Sequence, residues 1–189
     1  MSERPVPTDS LRTTTGIQVN PEFSINTNDG RVSLLLPLVN FADRNAEVIT
    51  SAEALGYRRK EEFHITTFDV KHDSRIHQQI GSLPLAEQLS LLGVLQAASH
   101  ETWHVSLRDE FYAINKQYPD EQEPRRSVIQ MVDCSKADEL YDALNTQLPP
   151  EMALEVPPLH VTLAVAGSPK GIGITNHADL AAFGQPTYL

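Results

Sequence analysis

Phe63-His64-Ile65-Thr66-Thr67-Phe68-Asp69-Val70 and, 96 residues further on, Leu159-His160-Val161-Thr162-Leu163-Ala164-Val165 decide how this chain is read. Both runs are rich in β-branched and apolar residues, the composition of a strand. Each contains a histidine, an apolar residue and a threonine in that order. Alternate side chains of a strand share a face, so His64 and Thr66 point one way and Ile65 the other, and His160, Thr162 and Val161 repeat the pattern. The apolar member fixes its strand to a core while the polar pair faces away from it.

Working outward, the two motifs have similar antecedents. Arg31–Pro37 (RVSLLLP) follows the turn residues Asn28, Asp29 and Gly30 and predicts a strand, and Asp43–Leu55 predicts a helix. Ser127–Val132 predicts a strand, followed by a helix over Lys136–Leu148 with Ser135 as its N-cap and Pro149-Pro150 as its stop. His64 lies 32 positions after Val32, and His160 lies 32 positions after Val128. Sliding the second unit back by 96 residues without a gap lays its helix on the chain from about Asn40. Two halves built alike predict a duplicated α+β fold with pseudo-two-fold symmetry, in which the two polar faces meet across one cleft.

Between the halves, Leu85, Leu89, Leu92 and Leu95 at helical spacing predict a core-facing helix over Leu83–Ser99, with Pro84 in its first turn. Trp103–Leu107 and Phe111–Asn115 flank the charged run Arg108–Glu110 and predict a hairpin. Residues 1–15, with Pro5, Pro7 and Thr13–Thr15, have no apolar period and predict an irregular tail ahead of a single domain over 16–189. The glycine-rich Gly167–Ile174 predicts a loop, and an irregular segment is expected after it.

Composition bounds the function. The chain has 189 residues, 40% of them hydrophobic, which suffices for one well-filled domain. The single cysteine, Cys134, excludes an internal disulfide framework, and no stretch approaches the roughly 18 uninterrupted apolar residues of a membrane span. A cytoplasmic protein is expected, with no membrane partner and a monomeric state. A formal net charge of -10 disfavours a surface that grips long nucleic acid, because that affinity comes from neutralising many phosphates. Small or short substrates are expected.

The chemistry follows from the residue types. Cleaving a phosphodiester needs a base that takes a proton from the nucleophile and an acid that gives one to the leaving oxygen. Imidazole titrates near neutrality, so His64 and His160 can hold one neutral and one protonated ring with no metal cofactor. The hydroxyls of Thr66 and Thr162 can donate to the non-bridging phosphate oxygens. Lys170, in the loop after the second motif, could line the cleft and contact substrate.

FHITTFDV and PPLHVTLAV resemble the paired His-x-Thr-x signatures of the two-histidine (2H) phosphoesterase superfamily, a group that includes RNA 2',3'-cyclic phosphodiesterases and 2'-5' RNA ligase-like proteins. The resemblance covers roughly Arg31 to Ile174. It implies His64 and His160 as acid and base, Thr66 and Thr162 as phosphate-binding hydroxyls, and no cofactor. It also implies a bilobal α+β fold with an antiparallel sheet in each lobe, helices outside and a cleft between. The partner it implies is a cyclic nucleotide or short oligonucleotide carrying a cyclic phosphate, or a 2'-5' or 3'-5' phosphodiester. Thr67 departs from the family pattern, which places an apolar residue there.

Other readings compete. His100-Glu101-Thr102-Trp103-His104 matches H-E-x-x-H, which on a helix would hold zinc for a metallopeptidase. A phosphate- or nucleotide-binding protein without turnover would use the same four polar groups. His104-Val105-Ser106 repeats the motif pattern outside the 96-residue repeat and is read as structural, with Trp103, Val105 and Leu107 on one face. His72 and His77 around Asp73, the basic run Arg58-Arg59-Lys60, and Arg125-Arg126 are read as solvated positions. Tyr57, Phe111, Tyr112 and Tyr118 are candidate base-stacking aromatics.

Overall fold

Among the described residues, nine strands pair antiparallel into one continuous sheet. They are β1 (Gly16–Val19), β2 (Glu22–Asn26), β3 (Arg31–Pro37), β4 (Arg58–Arg59), β5 (His64–Val70), β6 (Trp103–Lys116), β7 (Arg125–Asp133), β8 (His160–Ala166) and β9 (Gly184–Thr187). The computed structural model describes residues 16–26, 28, 30–70, 75–169 and 171–188. The expected tail over 1–15, His72, Asp73 and Lys170 lie outside the described residues. The strand order is β1-β6-β7-β8-β5-β3-β2, with β4 on the edge of β8 and β9 on β6. Six α-helices accompany the sheet among the described residues: α1 (Phe41–Arg44), α2 (Ala46–Ala54), α3 (Arg75–Gly81), α4 (Leu85–Ser99), α5 (Ser135–Asn145) and α6 (His177–Phe183). The fold is mixed α+β, as expected.

The main core gathers Leu34, Leu36, Ile65, Val161 and Leu163 of the sheet with Ile49 of α2, Leu91 and Leu95 of α4, and Leu140 and Leu144 of α5. Ile65 and Val161, the apolar members of the two motifs, are fully buried. A smaller cluster on β7 joins Ile129 and Met131 to Ile172 and Ile174 of the loop after β8.

Each motif strand pairs with its preceding strand in the same register. Pro37 faces His64, Leu36 faces Ile65 and Leu35 faces Thr66, then a bulge intervenes and Leu34 faces Phe68. Met131 faces His160, Gln130 faces Val161 and Ile129 faces Thr162, then a bulge intervenes and Val128 faces Ala164. The bulges fall at the same step. The positions matched by pairing are 94 residues apart in β3 and β7 but 96 apart in β5 and β8. The gapless slide that equates Val32 with Val128 is therefore out by two residues in the opening strands. Two is even, so the facing of every side chain survives the difference.

Thr67 is the extra residue of the first bulge and Leu163 that of the second. Thr67 is fully buried, and its hydroxyl donates to the Leu34 carbonyl at 2.8 Å. Its own carbonyl accepts from Tyr141 Oη at 3.0 Å. This accounts for the departure of Thr67 from an apolar pattern: the hydroxyl closes a bulge carbonyl that a leucine would leave open. Thr67→Val is expected to cost about 1–2 kcal/mol, the penalty for a buried carbonyl that loses its donor; urea denaturation with an unchanged midpoint would remove that role.

Several expectations are corrected. The helix expected over Asp43–Leu55 is two helices broken at Asn45. The hairpin around Arg108–Glu110 is one strand, β6: Leu107 faces Val132 and Phe111 faces Gln130, so the charged run is a bulge, and Gln130 Nε2 donates to the Arg108 carbonyl at 2.9 Å. α4 buries Leu91 and Leu95 while Leu85 and Leu89 are exposed, so only part of the expected stripe meets the core. The C-terminal segment expected to be irregular forms α6 and β9. Cys134, one residue before Ser135, is the N-cap of α5.

Candidate active site

The site forms where the two sides of the sheet meet. β5 and β8 share one pair, Ile65 with Val161, after which β4 replaces β5 along β8, with Arg58 facing Val165 and Arg59 facing Ala164. The antiparallel sense of that pair sets His64 across from Thr162 and Thr66 across from His160, on the face away from Ile65 and Val161. Directly opposed side chains in such a pair start about 5 Å apart and diagonal ones about 7–8 Å, so the two imidazoles form one diagonal of a square and the two hydroxyls the other. All four are partly exposed. The register thus puts the four groups on one face, about the β5–β8 pair.

His160 Nδ1 lies 2.8 Å from the Pro158 carbonyl, which can only accept. Nδ1 therefore carries the proton in the neutral ring, and Nε2 keeps its lone pair for the cleft. Burial holds the His160 pKa below its ordinary value of 6.5; the Pro158 carbonyl opposes this and the charge of His64 adds to it. His64 is also held below 6.5, first by burial and then by Lys60, with Arg31 adding to the effect and Glu62 and Glu22 opposing it. Lys60 is brought there by β4, and its amide donates to the Leu163 carbonyl at 3.1 Å. Of the basic run, Arg58 and Arg59 form a short strand on the edge of β8, the second motif strand, and both remain exposed as expected.

The two flanks of the square differ. On the β7 side, Ile129 and Met131 lie under Ile172 and Ile174, and a Cβ built on Gly171 would stand 3.8 Å from Thr162 Oγ1. The loop after the second motif therefore walls the site. Arg125 holds it through Nη1, 3.5 Å from the Gly171 carbonyl, while its Nε donates to Glu121 Oε2 at 2.8 Å. On the β3 side, the matching residues Leu35 and Pro37 border an open cavity of about 480 Å³ that reaches His64. Glu22, Leu38, Phe41, Glu61, Glu62 and Phe63 also line it. The sequence alone did not single out Glu22, Glu61, Glu62, Phe63 or the Pro158 carbonyl; the Pro157-Pro158 pair just ahead of His160 was the available signal for the last.

The competing motif does not assemble on a helix. α4 ends at Ser99, His100 caps it, and His104 is an exposed residue of β6. Glu101 is paired with Lys136 at 2.9 Å. No three His, Cys, Asp or Glu residues gather as a metal-binding group among the described residues. The candidate stacking aromatics have other partners: Tyr57 is under Arg126, Tyr118 under Arg125, Tyr112 donates to Glu110 and packs on the Ile129–Ile172 cluster, and Phe111 packs on the core. No helix among the described residues is long and apolar enough to cross a membrane. No family model, no curated protein and no solved structure matches this chain.

Proposed function

We propose that the protein is a metal-independent phosphodiesterase of the two-histidine kind, acting on a cyclic phosphate or a 2'-5' or 3'-5' phosphodiester of a nucleotide or short oligonucleotide. The observation that carries the proposal is the single pair Ile65–Val161, whose antiparallel register puts two imidazoles and two hydroxyls on one face of adjoining strands. His160 is the base: its Nε2 takes a proton from the attacking water or hydroxyl, since Nδ1 is committed to Pro158. His64 is the acid; burial, Lys60 and Arg31 disfavour its cationic form and Glu62 and Glu22 oppose them only in part, so a bound phosphate must help to hold its proton. As the new P–O bond forms and the old one breaks, His64 protonates the leaving oxygen. Thr66 and Thr162 donate to the non-bridging oxygens as charge builds there.

The duplicated, bilobal plan belongs to the same proposal. Its support is the repeated pairing register and the paired bulges of β3–β5 and β7–β8. A monomer in a reducing cytoplasm is the setting proposed, in keeping with one buried free cysteine. Release of mononucleotide phosphomonoester from 2',3'-cyclic nucleotides, and of nucleoside and mononucleotide from 2'-5' dinucleotides, in excess chelator, tests the activity; silence across that panel with retained nucleotide binding would make the protein a binder instead.

The pH dependence has a fixed sign. In the free enzyme both imidazoles sit below 6.5, and the working form needs His64 protonated and His160 neutral. The kcat/KM profile should therefore peak below pH 6.5 and fall as pH rises past the lowered pKa of His64. A bound phosphate favours the imidazolium, so the kcat profile should lie at higher pH than that of kcat/KM. Lys60→Gln removes a charge that lowers the His64 pKa and should move the alkaline limb of kcat/KM upward. An optimum above pH 8 for kcat/KM would contradict the assignment.

A further inference from the structure

We infer that the cavity beside His64 receives the base of the substrate and selects guanine, while excluding any second phosphate from that side; this rests on the phosphodiesterase reading above. β2 stops pairing at Glu22, opposite Leu35, whereas β3 runs on to Pro37, opposite His64. The space left by the missing strand is the cavity. Its counterpart over Ile129 and Met131 is filled by Ile172 and Ile174, so of the two flanks described the one toward β3 is open to a substrate fixed at the square.

Glu22 is two strands from Thr66 along one row, Glu22–Leu35–Thr66, a separation of about 10 Å that a ribose and base can bridge. The floor is apolar and aromatic. Phe41 is buried with its ring centroid 5.4 Å from that of Phe63, and Phe63, partly exposed and packed on the main core, also lines the cavity, so an aromatic surface borders the space a base would occupy. Three carboxylates, Glu22, Glu61 and Glu62, line the same space and are exposed.

A carboxylate only accepts hydrogen bonds, so it selects a group with donors and rejects a second anion. Guanine alone among the common bases presents two adjacent donors, N1–H and the 2-amino group. Adenine and cytosine offer one amino group beside an acceptor, and uracil offers one N–H between two carbonyls. The chemistry of the cavity therefore ranks guanine first and uracil last. A 5'-phosphate or a pyrophosphate reaching the same carboxylates is repelled.

The deciding experiment measures kcat/KM for 2',3'-cyclic GMP, AMP, CMP and UMP, and for 5'-phosphorylated 2',3'-cyclic GMP. The wild type and the triple variant Glu22→Gln, Glu61→Gln, Glu62→Gln are compared, with thermal melts to confirm folding. The expected preference for guanine over uracil is about tenfold, the discrimination of one good bidentate contact. It should vanish in the triple variant, which should also regain turnover of the 5'-phosphorylated substrate, most visibly at low salt. Equal rates on all four bases, or a preference unchanged in the triple variant, would overturn the inference and leave the phosphodiesterase reading intact. If nothing turns over, that reading fails, and calorimetric binding of guanosine and uridine 3'-monophosphates still decides the cavity: a guanine preference lost in the triple variant supports it, and equal affinities sink it.

Discussion

His160→Ala is expected to lower kcat/KM on a 2',3'-cyclic nucleotide by about 10²–10⁴, the range supplied by one positioned acid–base group. His64→Ala should fall as far. The double variant should be little worse than either single one, because two groups that act in the same step lose their joint effect once either is gone. A titration of stability separates loss of chemistry from loss of fold. Burial holds the folded-state pKa of both rings below 6.5, so the unfolded chain binds protons more readily. The wild type should therefore lose stability as pH falls from 6.5 toward the lowered values, and His160→Ala should lose less over that window. A His160→Ala protein that keeps a third or more of the wild-type rate would end the two-histidine mechanism.

Trp103→Ala should bring the largest loss of stability, about 3–5 kcal/mol, the cost of emptying a well-packed aromatic site. The indole is 1% exposed, and its Nε1–H donates to the Ala98 carbonyl at 3.1 Å, tying the start of β6 to the end of α4. Trp103 is also the fourth residue of the H-E-x-x-H run. On a continuous helix it would turn with His100 and His104; here α4 has already ended at Ser99 and Trp103 opens β6, buried in the core. Chemical denaturation should show the loss, and a midpoint shift equivalent to under 1 kcal/mol would mean that the site collapses around the missing ring without harm.

What could be read ahead of the structure was what depended on near neighbours in sequence. Arg31–Pro37 and the two motif strands carry their own pattern of apolar and polar faces, and they fold as that pattern predicts. That His64 shares a face with Thr66, and His160 with Thr162, followed from the two-residue period alone; that the two pairs meet rested on the repeat. The errors arose where a distant partner decides. Arg108–Glu110 has the charge of a turn, but Gln130 and the edge of β7 keep β6 running through it. Leu85 and Leu89 share helical spacing with Leu92, yet which stripe of α4 is covered depends on the sheet beneath. Gly184–Thr187 contains glycine and proline and has no strand signature of its own; β6 supplies the edge that makes it one. The cavity was invisible for the same reason, since Glu22, Pro37 and Glu61–Phe63 are brought together only by pairing across β2, β3 and β5.

The matched registers of β3–β5 and β7–β8 have a consequence for how this scaffold can be altered. The connection from Pro37 to His64 is two residues shorter than that from Met131 to His160, yet both histidines meet their partners at the same step. Connector length and histidine placement are thus uncoupled. The first connector supplies most of the cavity wall, from Leu38–Ala42 to Glu61–Phe63, while its Phe41, Ile49 and Ala52 belong to the core and its β4 to the edge of β8. Varying only the exposed wall positions Val39, Glu61 and Glu62 would retarget the molecule to new ligands while the core and the strand register continue to hold His64 and Thr66 in position.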